Sequence, residues 1–177
     1  MKRILVVVDM QRDFVDGALG SKEAAAIVPN VAEKIRTFDG DGILVTYDTH
    51  YENYMETLEG KKLPVVHCVE GTPGHALDGE IEKALEGKEY IAVLKNTFGS
   101  FEVPRILKET FPGESPEIEI VGLCTDICVV SNALILRAAF PDAAITVDAR
   151  CCAGVSPATH HAALATMSCC QIDVIGE

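Results

Sequence analysis

The chain has 177 residues, of which 48% are hydrophobic, 24% charged and 6% aromatic, with no Trp; that length and balance fit a single globular domain, 1–177, with a largely aliphatic core. Its formal net charge of −12 repels phosphate backbones and anionic lipid, which argues against nucleic-acid and membrane partners. No apolar stretch reaches the roughly 20 residues that span a bilayer.

The first element is the apolar run Ile4–Val8, which ends at Asp9. A basic start followed by an apolar run faintly suggests a signal peptide, but the run is short and no small-residue cleavage site follows, so a buried strand is predicted. Further short runs rich in β-branched residues lie at Ile43–Val45 leading to Tyr47, Tyr90–Leu94, Ile118–Val121, Ala144–Val147 and Gln171–Ile175. They lack strict alternation, as strands buried on both faces do. Helical patterns fall between them near 23–38, 76–87, 101–110, 126–140 and 157–169. Asp39-Gly40-Asp41-Gly42 marks a turn before the second strand, and the segment from Pro112 to Pro116 a loop before the fourth. Ser156-Pro157 sets a capping residue before a proline at a helix start. The segment 49–75 has weak periodicity and is long for a connection, a length often associated with function. Strands alternating with helices predict an α/β fold: a parallel sheet with helices on both faces.

Seven cysteines, Cys68, Cys124, Cys128, Cys151, Cys152, Cys169 and Cys170, make an odd count with two adjacent pairs. That pattern suits reduced thiols in a cytoplasmic compartment better than a disulfide framework. Most read as small buried hydrophobes.

Ligands in open parallel sheets sit outside the carboxyl ends of the strands. Asp9 follows the first strand, Asp48 the second, Lys95 the third, and Cys128 lies just beyond the fourth. Cys128 stands in Gly122-Leu123-Cys124-Thr125-Asp126-Ile127-Cys128-Val129, where a strand opens into a helix. A thiol at a helix N-terminus is expected to have a lowered pKa, and the N–H groups there can bind an oxyanion. Asp9 could serve as a general base and Lys95 could stabilise a thiolate. Asp48-Thr49-His50 and the later His67 offer N and O ligands for a divalent ion. Taken singly, each has a plainer reading: a core cysteine, a capping aspartate, a solvated lysine, polar loop residues. Adjacent helical residues such as His160 and His161 point about 100° apart and suit packing or solvation better than a shared ion.

Together the segments Asp9-Met10-Gln11-Arg12-Asp13-Phe14, Asp48-Thr49-His50, His67-Cys68-Val69-Glu70-Gly71-Thr72-Pro73-Gly74, Lys95-Asn96-Thr97-Phe98-Gly99-Ser100-Phe101 and Gly122 to Val129 resemble the isochorismatase-like cysteine hydrolases, and among them the nicotinamidase subgroup. The resemblance implies a three-layer α/β/α fold with a six-stranded parallel sheet. It implies a catalytic triad of Asp9, Lys95 and Cys128, a cis Leu123–Cys124 peptide that aims the Cys124 N–H at the site, and an oxyanion hole formed by the Cys124 and Cys128 N–H groups. Phe14 and Leu123 are the expected substrate contacts. Asp48, His50 and His67 are the expected metal ligands, with zinc first and iron or manganese as alternatives. The fourth ligand varies in the family; Glu59 is expected here, then Glu56, with water also open. Thr49 stands where many nicotinamidases have Trp, which leaves the substrate less defined than the triad. The implied reaction is hydrolysis of a small amide, nicotinamide, to the acid and ammonia through a thioester, in a homo-oligomeric protein of NAD salvage. A carbamoyl or ureido substrate, or isochorismate, is the alternative within enzymes. A thiol- or metal-binding sensor is the alternative outside them.

Overall fold

In the computed structural model, which describes residues 1–113 and 115–177, six strands form one sheet in the order β3-β2-β1-β4-β5-β6, every neighbouring pair parallel. The strands are β1 (Lys2–Val8), β2 (Gly42–Asp48), β3 (Ile91–Lys95), β4 (Pro116–Leu123), β5 (Ala144–Ala153) and β6 (Asp173–Ile175). Side chains alternate across a strand, and β1 uses both directions for burial. Leu5 and Val7 enter one core, while Ile4, Val6 and Val8 enter the other. The first core is closed by α1 (Arg12–Val15), α2 (Lys22–Thr37) and α4 (Gly79–Leu85). The second is closed by α5 (Glu102–Thr110), α6 (Val130–Ala139) and α7 (Pro157–Cys169). The result is the expected three-layer arrangement.

Local chemistry sets the helix starts. Ser21 accepts from Ala24 N to begin α2, and Ser156 with Thr159 forms a capping box at α7, with Pro157 in its first turn. The Asp39–Asp41 turn is fastened to β1, with Asp39 pairing with Arg3 and Asp41 with Lys2. Among the described residues no helix is long and apolar enough to cross a membrane.

Several boundaries differ from expectation. Burial on both faces fails for β3, whose Ile91, Ala92 and Leu94 are exposed because it is an edge strand. The final strand loses Gln171 and Ile172; the Gln171 φ of +63° belongs to the turn after α7. β5 runs on to Ala153, its apolar pattern interrupted by Asp148, which is buried on Lys34 and Arg150. Residues 76–78 are not helical: Leu77 bridges to Gln11, and Asp78 caps α4. The long segment 49–75 carries α3 (Leu58–Lys62) and two short 3₁₀ turns at Tyr54–Glu56 and Pro73–His75.

The strand order changes direction between β1 and β4, and a crevice opens there at the carboxyl ends. Gly122 faces Val8 across this seam at a φ of +120°. A Cβ at this glycine would overlap the Val8 backbone. Gly122→Ala is therefore expected to cost at least about 2 kcal/mol of stability, read as a lower denaturant midpoint; an unchanged midpoint would contradict this packing.

Candidate active site

Four strand ends deliver the polar residues of the crevice. Asp9 leaves β1 at a φ of +46°, its backbone N–H on Thr46 of β2. Its carboxylate accepts from the Thr46 hydroxyl at 2.6 Å. Lys95 ends β3 and is buried. Its Nζ lies 2.6 Å from Asp9 Oδ2, 3.5 Å from Cys128 Sγ and 3.7 Å from Asp48 Oδ1. The closest of these contacts is a buried ion pair between the Lys95 ammonium and the Asp9 carboxylate. Cys128 is 4% exposed and lies in a π-helical turn, Thr125–Val129, that leads into α6. Asn132 holds the turn by donating to the Cys128 carbonyl and accepting from Ser100 N. The Leu123–Cys124 peptide is cis.

The electrostatics of the three groups are coupled. Burial raises the Cys128 thiol well above its ordinary pKa; Asp9 and Asp48 raise it further and Lys95 opposes them. This corrects the expectation of a lowered thiol pKa at a helix start. The helix end is present, but dehydration of a largely buried sulfur beside a carboxylate outweighs it. Burial likewise raises the Asp9 carboxyl, against the pull of Lys95. For Lys95, burial works against the charged form, yet Asp9, Cys128 and Asp48 hold the ammonium protonated. One positive charge thus faces two sites that compete for one negative charge.

Beside the ammonium, Asp48, His50, Glu59 and His67 each offer one ligand atom, and these atoms lie within 4.8 Å of one another. His50 Nε2 is 3.0 Å and His67 Nε2 3.4 Å from Asp48 Oδ2, and the same nitrogens are 3.6 and 3.7 Å from Glu59 Oε1. His67 Nδ1 donates to Val65 O at 2.8 Å, which directs the Nε2 lone pair into the cluster. His50 Nε2 is buried yet makes no hydrogen bond among the described residues. Burial raises the Glu59 carboxyl and the Asp48 charge raises it further. Two crowded carboxylates and an unsatisfied imidazole nitrogen fit a divalent cation. Glu56 is exposed on its 3₁₀ turn and stays outside the cluster.

The crevice is a cavity of about 1050 Å³ lined by Phe14, Asp48, His50, Glu59, His67, Cys124 and Cys128, with Leu19, Leu58, Leu63, Phe98 and Val155 among the apolar residues of its wall. Phe14 stands edge-on to His67 at 5.4 Å between ring centroids. Thr49 lines the wall too, bonded to Tyr47 O and His75. Leu123 does not reach the cavity: its side chain is fully buried in the core on the α2 side, because alternation along β4 turns it there. His160 bonds Thr125 Oγ1, and the His160–His161 pair forms no ligand cluster among the described residues. Sequence reading missed Gln11, Thr46 and Asn132, buried polar residues that brace the site.

The chain is similar to known proteins along nearly its whole length. The isochorismatase domain model matches residues 3–176. A nicotinamidase/pyrazinamidase of Mycobacterium tuberculosis is 27% identical over 98% of both chains. A nicotinamidase/pyrazinamidase structure from Bacillus subtilis superposes with a TM-score of 0.88 at 25% identity, covering 98% of this chain and 99% of the other. A pyrazinamidase of Pyrococcus horikoshii in complex with zinc aligns over the whole of both chains, with a TM-score of 0.83 and 27% identity.

The opposed influences on the thiol give a two-directional test. Lys95→Met should slow alkylation of Cys128 at fixed pH by about tenfold or more, and Asp9→Asn should accelerate it, since about one pKa unit changes the thiolate fraction tenfold. Peptide mass spectrometry would read Cys128 separately from the exposed Cys169. The same direction in both variants would contradict the electrostatic account.

Proposed function

We propose a function that proceeds from one fact: the chain belongs to the isochorismatase family. It acts as a cysteine amidohydrolase that cleaves nicotinamide to nicotinate and ammonia. The observation that carries this reading is the position of Lys95 Nζ, within 2.6 Å of Asp9 Oδ2 and 3.5 Å of Cys128 Sγ, at the edge of a four-donor cluster.

The Asp9 carboxylate accepts the thiol proton as Cys128 Sγ attacks the amide carbonyl carbon. Burial makes a free thiolate unfavourable, so proton removal and attack are best matched in time. Lys95 keeps one negative charge tolerable wherever it resides. The N–H groups of Cys124 and Cys128 receive the oxyanion, where losing one such donor costs about 3–4 kcal/mol of barrier in comparable sites. Asp9 then passes its proton to the leaving nitrogen, the C–N bond breaks, and ammonia departs from a thioester. Water attacks the thioester with Asp9 again as base, releasing the acid and the free thiol.

Asp48, His50, Glu59 and His67 would hold a divalent cation, zinc by the donor set, which supplies a Lewis acid for a ring nitrogen of the substrate. Phe14, Tyr54 and Phe98 give a flat ring apolar walls. The charged side chains of the cavity wall are Asp48, Glu59 and Lys62 among the described residues. Asp48 and Glu59 are taken up by the cation in this reading, so the flat apolar walls, rather than the net charge, favour a planar aromatic amide over isochorismate. A carbamoyl or ureido compound would use the same triad, and its preference over nicotinamide would mark that reading.

Ammonia release from nicotinamide tests the proposal. Cys128→Ala should abolish it with the fold and bound metal intact; near-normal turnover in that variant would remove the nucleophile. Elemental analysis should find one divalent ion per chain in the parent protein, and His50→Ala and His67→Ala should each lose it. A parent protein that binds no divalent ion would argue against the nicotinamidase subgroup.

A further inference from the structure

Residues 9–15, the turn after β1 together with α1, hold two carboxylates and a buried amide, and only Asp9 has a part in the chemistry above. Gln11 is fully buried at the start of α1, yet its side chain makes no helix cap. Instead its Nε2 donates to Asp48 O at 2.8 Å and to His75 O at 2.9 Å, while its Oε1 accepts from Asp48 N at 2.8 Å. The amide therefore grips both backbone groups of one residue, as a neighbouring strand would. The reverse amide orientation would set oxygen against two carbonyls and NH₂ against an N–H, so the assignment is fixed by its partners. Holding the peptide units on both sides of Asp48 fixes the direction of its Cα–Cβ bond, and with it the carboxylate that faces His50 and His67.

Asp13, two residues on, makes the matching connection to His67. Its Oδ2 accepts from Cys68 N at 2.7 Å. Cys68 directly follows His67 and has a φ of +46°, a left-handed conformation that non-glycine residues seldom adopt. Gly74 closes over the same carboxylate, and a Cβ there would overlap it. An acceptor at this point holds the turn that presents His67.

We propose that Gln11 and Asp13 are positioning residues of the four-donor cluster, aiming Asp48 and His67 through backbone groups without contacting the cation themselves. This inference rests on the reading of that cluster as a cation site. Only a side chain with a donor and an acceptor can clasp Asp48 in this way, and Asn is one methylene shorter. Partners beyond the ligands themselves typically alter metal affinity by about 10–100-fold.

The test is zinc affinity, measured with zinc alone by competition against a chromophoric chelator. Gln11→Glu keeps the side-chain size but turns an acceptor toward two carbonyls. It should weaken zinc binding by about tenfold or more, and Asp13→Ala should do the same. Gln11→Met, which removes all three hydrogen bonds, gives the same direction should Gln11→Glu fail to fold. Leu107→Ala, a core truncation on the other side of the sheet, should lower the melting temperature but leave zinc affinity within about twofold. Wild-type affinity in the Gln11 and Asp13 variants would overturn the positioning role. So would an equal loss in Leu107→Ala. A wild-type protein that binds no zinc would overturn the cation-site reading and this inference with it.

Discussion

A buried ammonium is the constraint around which the working edge of this protein is arranged. Lys95 is 5% exposed and ends an edge strand, where an unpaired charge would be costly to dehydrate. It persists because Asp9, Cys128 and Asp48 converge on it from three other strand ends or turns. The same convergence restrains the two acids. Without the lysine, Asp9 and Cys128 would both stay protonated through burial. With it, one negative charge is supported, and a proton can pass between carboxylate and sulfur with little change in the total charge of the site. A nucleophile that charges only during attack needs this arrangement more than it needs a low thiol pKa.

The topology makes that convergence possible. Parallel strands bring all their carboxyl ends to one side, and the reversal of order between β1 and β4 opens space above Asp9 and Cys128. Residues far apart in sequence then meet without long side chains. Gly122 lets the two central strands approach closely enough for this, since any Cβ would meet the Val8 backbone. The lysine also joins two chemical units: its Nζ is 3.7 Å from Asp48 Oδ1, so charge in the four-donor cluster is felt at the triad.

Much of this was legible in the sequence. The apolar run Ile4–Val8 gave a buried strand because period-two alternation with both faces covered leaves no polar position. Ser156-Pro157 gave a helix start through capping chemistry that is local. Asp48, His50 and His67 were readable as N and O ligands from the residues themselves, whereas Glu59 came through the resemblance, since spacing alone would not have chosen it over Glu56. What escaped depended on tertiary surroundings. A helix end near Cys128 is visible in sequence, but the dehydration that reverses its effect on the thiol comes from other strands. The exposure of Leu94 follows from β3 being an edge, which strand order decides. Leu123 was placed at the substrate and lies in the core, because its direction depends on the alternation of β4. Gln11 gave no signal of its own, since its partners at Asp48 and His75 are 37 and 64 residues away.

The most direct test of this account is the ionisation of Cys128 at rest. Thiolate absorbance can be followed against pH as the difference between the parent protein and Cys128→Ala, which cancels the other six cysteines. A thiol governed by burial and a shared charge should show no thiolate signal at or below about pH 7. A full thiolate signal from Cys128 below neutral pH would contradict the claim that the sulfur and Asp9 compete for a single negative charge beside Lys95.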